Sequence, residues 1–279
     1  MIMDALDLVT NLRGVGWDWS RGLYIPPETR PTNRIAFVFY ALLATIPKSV
    51  LCAAVIQITN TFTASTASNT QLTIFDETLP FFLRYFRSSI ITILTGFMAY
   101  WGLQATYHLF TVFGVLFFGQ DPAQWPPGIE YPWCATSLTE FWGRRWHQWF
   151  RHTFVMCAYP FSAVFGRAGK VVGAFLVSGL AHHLILLQYD RHSEMWRMFV
   201  GFGMMAPGIL AERVFYKATG RKVGGIVGWV WMVTWLVIWY GIAVEGFVKA
   251  RMYPSLSESQ ARVWVEDAVK GFDAWLHAI

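Results

Sequence analysis

Two histidines in succession, His182 and His183, lie inside the run GKVVGAFLVSGLAHHLILLQY at 169–189, which is otherwise long and apolar enough to cross a bilayer. Ionisable groups at membrane depth are costly, so they are functional by default and face a bundle interior or a water-filled cavity. A neutral imidazole with one nitrogen held by a partner offers the other as a base that can take a proton from an alcohol. Consecutive helical residues sit about 100° apart, so the two rings cannot share a face. His182 shares its stripe with Phe175, Ser178 and Tyr189, and His183 lies with Leu176, Gly179, Leu187 and Asp190. On spacing, either could be the base, and the plainer alternative for each is a hydrogen bond to a neighbouring helix.

A second segment, SLTEFWGRRWHQWFRH at 137–152, concentrates charge and tryptophan. Ser137 followed by Glu140 is a capping-box start, and the spacing predicts an amphipathic helix over 137–152. At 3.6 residues per turn, Leu138, Trp142, Trp146 and Trp149 fall on one face, and Glu140, Arg144, His147, Gln148 and Arg151 on the other. One reading is an interfacial helix with Trp in the acyl boundary. The other is that Arg144, Arg145 and Gln148 face an anionic ligand such as coenzyme phosphates, which guanidinium binds bidentately.

Other chemistries find little support. No H-E-x-x-H or H-x-x-x-H pattern occurs, and His147 and His152 are poorly spaced for one helix, so no metal is expected. His108, in an aromatic run, reads as bundle packing; His152, His192 and His277 fall at ends or links. There is no G-x-S-x-G elbow and no phosphate-cradling Gly-rich loop. Cys52, Cys134 and Cys157 read as free thiols.

The elements that must hold these residues are membrane helices. Of 279 residues 55% are hydrophobic and 14% charged, against roughly 25% charged in soluble domains, which excludes an ordinary cytosolic globule. The 15 Trp and 11 Tyr suit helices meeting the membrane interface. The net charge of +5 is spread between apolar runs, which suits anionic lipid or an anionic cofactor rather than nucleic acid. No secretory signal is visible among the first eighteen residues, which hold Asp4, Asp7 and Asp18.

Candidate spans are 35–58, interrupted by Pro47; 88–118; 150–165; 170–189; 195–211; and 223–244. The expectation is therefore an all-α, polytopic bundle of about six spans with amphipathic interfacial helices, forming one domain over 1–279. Ser255–Glu258 begins a second capping box, and the stretch 255–279 reads as a C-terminal surface helix. Positive charge between 144 and 170 weakly places that side in the cytosol.

Taken in order, SLTEFWGRRWHQWFRHTF from Ser137 and FLVSGLAHHLIL from Phe175 resemble the wax synthase-like branch of the membrane-bound O-acyltransferase superfamily. RGVGWDW at 13–19 and IPP at 25–27 are similar to fungal members that acetylate terpenoids and meroterpenoids. The resemblance implies a helical bundle of the endoplasmic reticulum membrane, acetyl-CoA or another acyl-CoA as cosubstrate, and a small-molecule alcohol acceptor. It implies that His182, in its S-G-L-x-H context, is the base, with His183 supporting it. His147 stands where the family often has Asn or Asp, and orienting the thioester is the expected role. Trp142, Arg144, Arg145, Trp146, Gln148 and Ser178 become the expected coenzyme-binding residues.

Direct transfer without an acyl-enzyme is expected, because no activated nucleophile stands out. The rivals are a wax synthase using long-chain acyl-CoA and a fatty alcohol, and a non-catalytic membrane transporter or scaffold. A membrane terpene cyclase is a weaker idea, since the spans hold almost no carboxylic acid for protonation.

Overall fold

The computed structural model describes residues 11, 13–18, 24–65, 72–253 and 260–278, and these are helical or irregular with no strand. The helices are α1 (Arg34–Ser65), α2 (Phe81–Phe117), α3 (Leu138–Glu140), α4 (Arg151–Cys157), α5 (Tyr159–Leu186), α6 (Met195–Gly203), α7 (Met205–Thr219), α8 (Gly225–Lys249) and α9 (Gln260–Ala278). The expected all-α class is what is observed.

Four stretches are long and apolar enough to cross a membrane: Arg34–Thr63, Tyr159–Leu186, Met195–Thr219 and Gly225–Lys249. The described residues thus hold four such helices rather than the six expected from apolar runs. The 37 residues of α2 suffice in length, but threonine, tyrosine, glutamine and histidine dilute their apolar content. The run 150–165 is not one span, because the chain closes α4 at Ala158 and restarts at Tyr159 with Pro160 in its first turn. A proline there lacks the N–H that would continue the preceding helix.

Pro47 does not split α1, which runs through it without a break. Phe39, Leu43, Ile46 and Val50 stand exposed along that helix, as Ile226 and Val227 do at the start of α8. Such continuous apolar surface is tolerated in lipid and is a liability in water. The chain is an integral membrane protein.

Inside α5, Gly166 sits at φ 58° and ψ −144°, a conformation that only glycine adopts readily, and this kinks the helix ahead of its histidine-bearing half. That half ends at Leu186, three residues short of the expected boundary, in a turn closed by Tyr189 N–H on the Leu186 carbonyl at 2.9 Å.

The chain forms two compact units. The first comprises Met1–Ser49, Gly102–Val177 and Ala206–Met232. Its small core joins Phe37, Val38 and Val115, with Val112 and Trp125 packed against them. The Arg30 guanidinium lies 4.8 Å over the Phe37 ring, pairs with Glu28, and donates to the Trp125 carbonyl, tying the loop before α1 to the loop after α2.

The second unit comprises Val50–Trp101, Ser178–Met205 and Val233–Ile279. One core cluster gathers Phe62, Ile74, Ile91, Val244, Val248 and Val269, and another Leu186, Met198, Phe202, Ala243, Phe247 and Ala250. Glycines let helices touch here: a Cβ on Gly201 would strike Ala243, and one on Gly179 would meet the Met198 carbonyl. The expected C-terminal surface helix spends its apolar side on protein, since Val269 and Leu276 are buried, while Trp275 stays exposed. Arg87, one residue ahead of the apolar run 88–118, is fully buried inside α2 and pairs with Asp273 of α9 at 2.7 Å. The capping box at 255–258 lies outside the described residues.

Candidate active site

The helix expected over 137–152 starts as predicted and then stops early. Ser137 caps it, its Oγ accepting from Glu140 N–H at 3.0 Å. The second half of the box is rewired: the Glu140 carboxylate accepts from Thr136 N–H at 2.9 Å and from Arg145 Nε at 2.6 Å. Burial alone would raise the Glu140 carboxyl, but the Thr136 N–H and the Arg145 guanidinium outweigh it and hold the group below its ordinary value. After α3 the chain makes one π-helical stretch, Phe141–Arg145, and turns extended at Trp146 with ψ 152°.

The reason is a competing backbone partner. Gln148 N–H donates to the Gly128 carbonyl at 3.1 Å, and the Arg145 carbonyl accepts from Glu130 N–H at 3.0 Å, so the loop at 128–130 takes groups that a continued helix would have used. A Cβ at position 128 would fall into the Trp149 indole, so glycine permits this approach. The predicted division into an aromatic and a charged face fails with the helix. His147 and Trp149, expected on opposite faces, stack at 6.1 Å with an interplanar angle of 12°.

The remaining residues of the motif divide by what their polar atoms do. Trp142 meets Phe175 of α5 edge-on at 5.3 Å, and Trp146 stacks on Phe141 at 5.5 Å. Gln148 is buried, and its Nε2 donates to the carbonyls of Trp146 and Trp142, so its amide braces the turn rather than facing outward. Arg145 is engaged by Glu140 and the Glu130 carbonyl. Arg144 stays exposed, its guanidinium 5.6 Å over the Tyr24 ring, and the Tyr24 hydroxyl donates to Glu130 at 2.8 Å. Sequence reading missed Glu212 of α7, a buried carboxylate that accepts from the backbone N–H groups of Leu138 and Thr139. Its place beside the apolar run ending at 211 was the available signal, since a carboxylate at the edge of a span needs a partner.

His182 belongs to the second unit. Its Nδ1 lies 2.7 Å from the Ser178 carbonyl oxygen. A carbonyl only accepts, so Nδ1 carries the proton, and in the neutral ring Nε2 is left as the basic lone pair. The ring stacks on Phe202 at 4.0 Å and 21°, with Phe247 at 6.4 Å, which fixes its plane. Ser178, expected to bind the coenzyme, is buried and serves His182 through its main chain. His183 is buried, and its Nδ1 has no hydrogen-bond partner among the described residues. In the first unit, His108 is buried edge-on to Tyr40, as bundle packing predicts.

The first unit also holds a half-open cavity of about 530 Å³ that sequence reading did not foresee. Tyr107, Phe110, Phe113, Trp125 and Trp149 form much of its wall, and Arg13 is its cationic group. Tyr107 stacks on Trp149 at 5.0 Å, which joins the cavity wall to the ring against which His147 lies. Burial pulls the Arg13 guanidinium below its ordinary value.

One cluster of metal-ligand type occurs among the described residues: ligand atoms of Asp76, Asp273 and His277 lie within 4.8 Å of one another. Arg87 already neutralises Asp273, and His277 bridges to Asp76 at 3.3 Å, so the cluster reads as an ion-pair network locking α9.

Residues 125–203, which contain both segments, match the profile of the Membrane bound O-acyl transferase family. Acetyltransferase sirH of Emericella nidulans is 29% identical over 153 residues, 48% of this chain and 35% of the relative. A long-chain-alcohol O-fatty-acyltransferase of Simmondsia chinensis is 30% identical over 143 residues, 48% of this chain and 40% of the relative. Acetyltransferase ple2 of Rhodocybe pseudopiperita is 23% identical over 269 residues, 88% of this chain and 67% of the relative. The expected resemblance to the wax synthase-like branch and its fungal acetyltransferases is borne out. The chain spans 35% and 40% of the length of the first two of these relatives. No solved structure matches it.

Proposed function

We propose that the chain is an acyl-CoA-dependent O-acyltransferase of the endoplasmic reticulum membrane that acetylates a hydroxyl of a terpenoid or meroterpenoid. The observation that carries this reading is the Ser178 carbonyl on His182 Nδ1, which leaves Nε2 as an acceptor at membrane depth. Nε2 takes the proton of the acceptor hydroxyl as its oxygen attacks the thioester carbonyl. The tetrahedral intermediate collapses, the C–S bond breaks, and the proton passes from the imidazolium to the departing thiolate of coenzyme A. General-base assistance of this kind is worth about 10² to 10⁴-fold, and exclusion of water by the bilayer protects the thioester from hydrolysis.

On the coenzyme side, Arg144 is the group of the motif best suited to a phosphate, being exposed and, among the described residues, set against an aromatic face. Arg145, Trp142, Trp146 and Gln148 shape the turn that presents it, and His147, held against Trp149, orients the thioester. The second reading, a wax synthase with a fatty alcohol and long-chain acyl-CoA, is favoured by the match to the Simmondsia chinensis enzyme.

The test uses microsomes carrying the full chain, supplied separately with radiolabelled acetyl-CoA and palmitoyl-CoA and extracted for acylated products. His182→Ala should abolish transfer at unchanged protein level, and unchanged turnover would overturn the assignment of the base. Palmitoyl transfer without acetyl transfer would replace the acetylation reading with the wax synthase one.

A further inference from the structure

The cavity of the first unit holds a buried cation. Arg13 is only 4% exposed. Its Nη1 donates to the carbonyls of Pro126 and Pro127, each at 2.9 Å. Arg13 lines the cavity, and its Nε and Nη2 are buried with no hydrogen-bond partner among the described residues. The nearby Tyr107 hydroxyl donates to the Pro126 carbonyl at 2.6 Å, and its oxygen acts on the Arg13 guanidinium as a neutral acceptor that brings no negative charge. The neighbouring charged side chain that acts on Arg13 is Arg30, of like sign, and Glu28 is occupied by Arg30. A buried guanidinium with donors unspent and no carboxylate beside it among the described residues is a costly arrangement that an anionic acceptor relieves. Its Nε and Nη2 edge has the fork geometry that matches a carboxylate with two parallel N–H···O bonds.

The rest of the wall restricts what that anion is attached to. Leu103, Phe110, Phe113, Trp125 and Trp149 are apolar or aromatic, and about 530 Å³ is within the range of sites that enclose a small organic molecule. A free phosphate or a coenzyme headgroup would leave most of this wall unsatisfied. We propose that the cavity is a binding site for an apolar monocarboxylate, its hydrocarbon body against the aromatic wall and its carboxylate on the Nε and Nη2 edge of Arg13. The body is either a flexible acyl chain or a fused-ring terpenoid acid, and the two share the recognition chemistry. This site does not depend on acyl transfer, because binding alone is the readout.

The experiment places the full chain in lipid nanodiscs and measures binding of tritiated palmitate, with empty nanodiscs subtracted. Dehydroabietate, a rigid tricyclic acid, and the methyl esters of both acids serve as competitors. At least one acid should bind, and its methyl ester should compete at least tenfold more weakly. Arg13→Gln should weaken the acid at least tenfold, Arg13→Lys should weaken it less, and Leu103→Trp, which fills the cavity, should block it. Which acid binds decides between chain and ring. Esters competing as well as acids, or undiminished binding by Arg13→Gln, would overturn the proposal. Should Arg13→Gln fail to fold, the acid-to-ester ratio in the unmodified chain and the Leu103→Trp result decide it. Loss of palmitate and dehydroabietate binding with acetyl transfer intact would sink this site and leave the acyltransferase reading standing.

Discussion

Glu212 of α7 closes the start of the segment 137–152: one carboxylate oxygen accepts from the Leu138 N–H at 2.6 Å, and the other from Thr139 N–H at 2.9 Å and Thr139 Oγ1 at 2.6 Å. A helix as short as α3 has no length over which to share its orphan N–H groups, so a carboxylate from elsewhere satisfies them. Trp231 Nε1 donates to the same carboxylate at 3.1 Å, which fixes its position.

Replacing Glu212 by Gln removes the charge and turns one acceptor into a donor facing an N–H. Leaving a buried donor unsatisfied costs about 1 to 3 kcal/mol. The expected outcome is a lower unfolding temperature in detergent and a loss of acyl transfer of at least tenfold. A variant as stable and active as the unmodified chain would show that this contact does not set the motif.

Gly128 is predicted to tolerate no side chain. Gly128→Ala would push a methyl group into the Trp149 indole, displacing the ring that stacks on both Tyr107 and His147. Overpacking of this kind costs about 1 to 3 kcal/mol. Tryptophan emission and the Michaelis constant for acyl-CoA should both shift, and Gly143→Ala, where a Cβ meets nothing, is the control.

The Glu140 carboxyl titrates below its ordinary value because the Thr136 N–H and Arg145 outweigh its burial. A group whose folded pKa is depressed contributes stability that is complete above its unfolded value and lost as pH falls through the folded one. The difference in unfolding temperature between the unmodified chain and Glu140→Gln should therefore be flat from pH 8 to about pH 5 and shrink below about pH 4. A difference that grew on acidification would contradict the assignment.

Arg87 and Asp273 are a buried pair, with side chains 0% and 9% exposed. Removing one partner strands a charge, which costs about 3 to 5 kcal/mol, whereas replacing both by apolar groups of similar volume is often neutral. Asp273→Ala should release α9, read as faster proteolysis of the C-terminal region, and Arg87→Met with Asp273→Leu should restore protection.

Much of this molecule is legible in its chain. Low charge, abundant tryptophan and long apolar runs dictate membrane helices, because only an internally hydrogen-bonded backbone is stable in hydrocarbon. The two motifs and the Ser137 cap are local features, and local features are read from spacing. What spacing could not supply was every outcome fixed by a partner distant in sequence. The helix over 137–152 ends at Arg145 because Gly128 and Glu130 compete for its backbone. Phe202 and the Ser178 carbonyl decide which nitrogen of His182 is basic and in what plane it lies. In the chain Arg13 is only the first residue of RGVGWDW, and it is its burial beside Pro126, Tyr107 and Arg30 that makes it the candidate group for an anion. Helical period and hydropathy are properties of neighbours in sequence, whereas competition for hydrogen bonds and the environment of a charge are properties of neighbours in space.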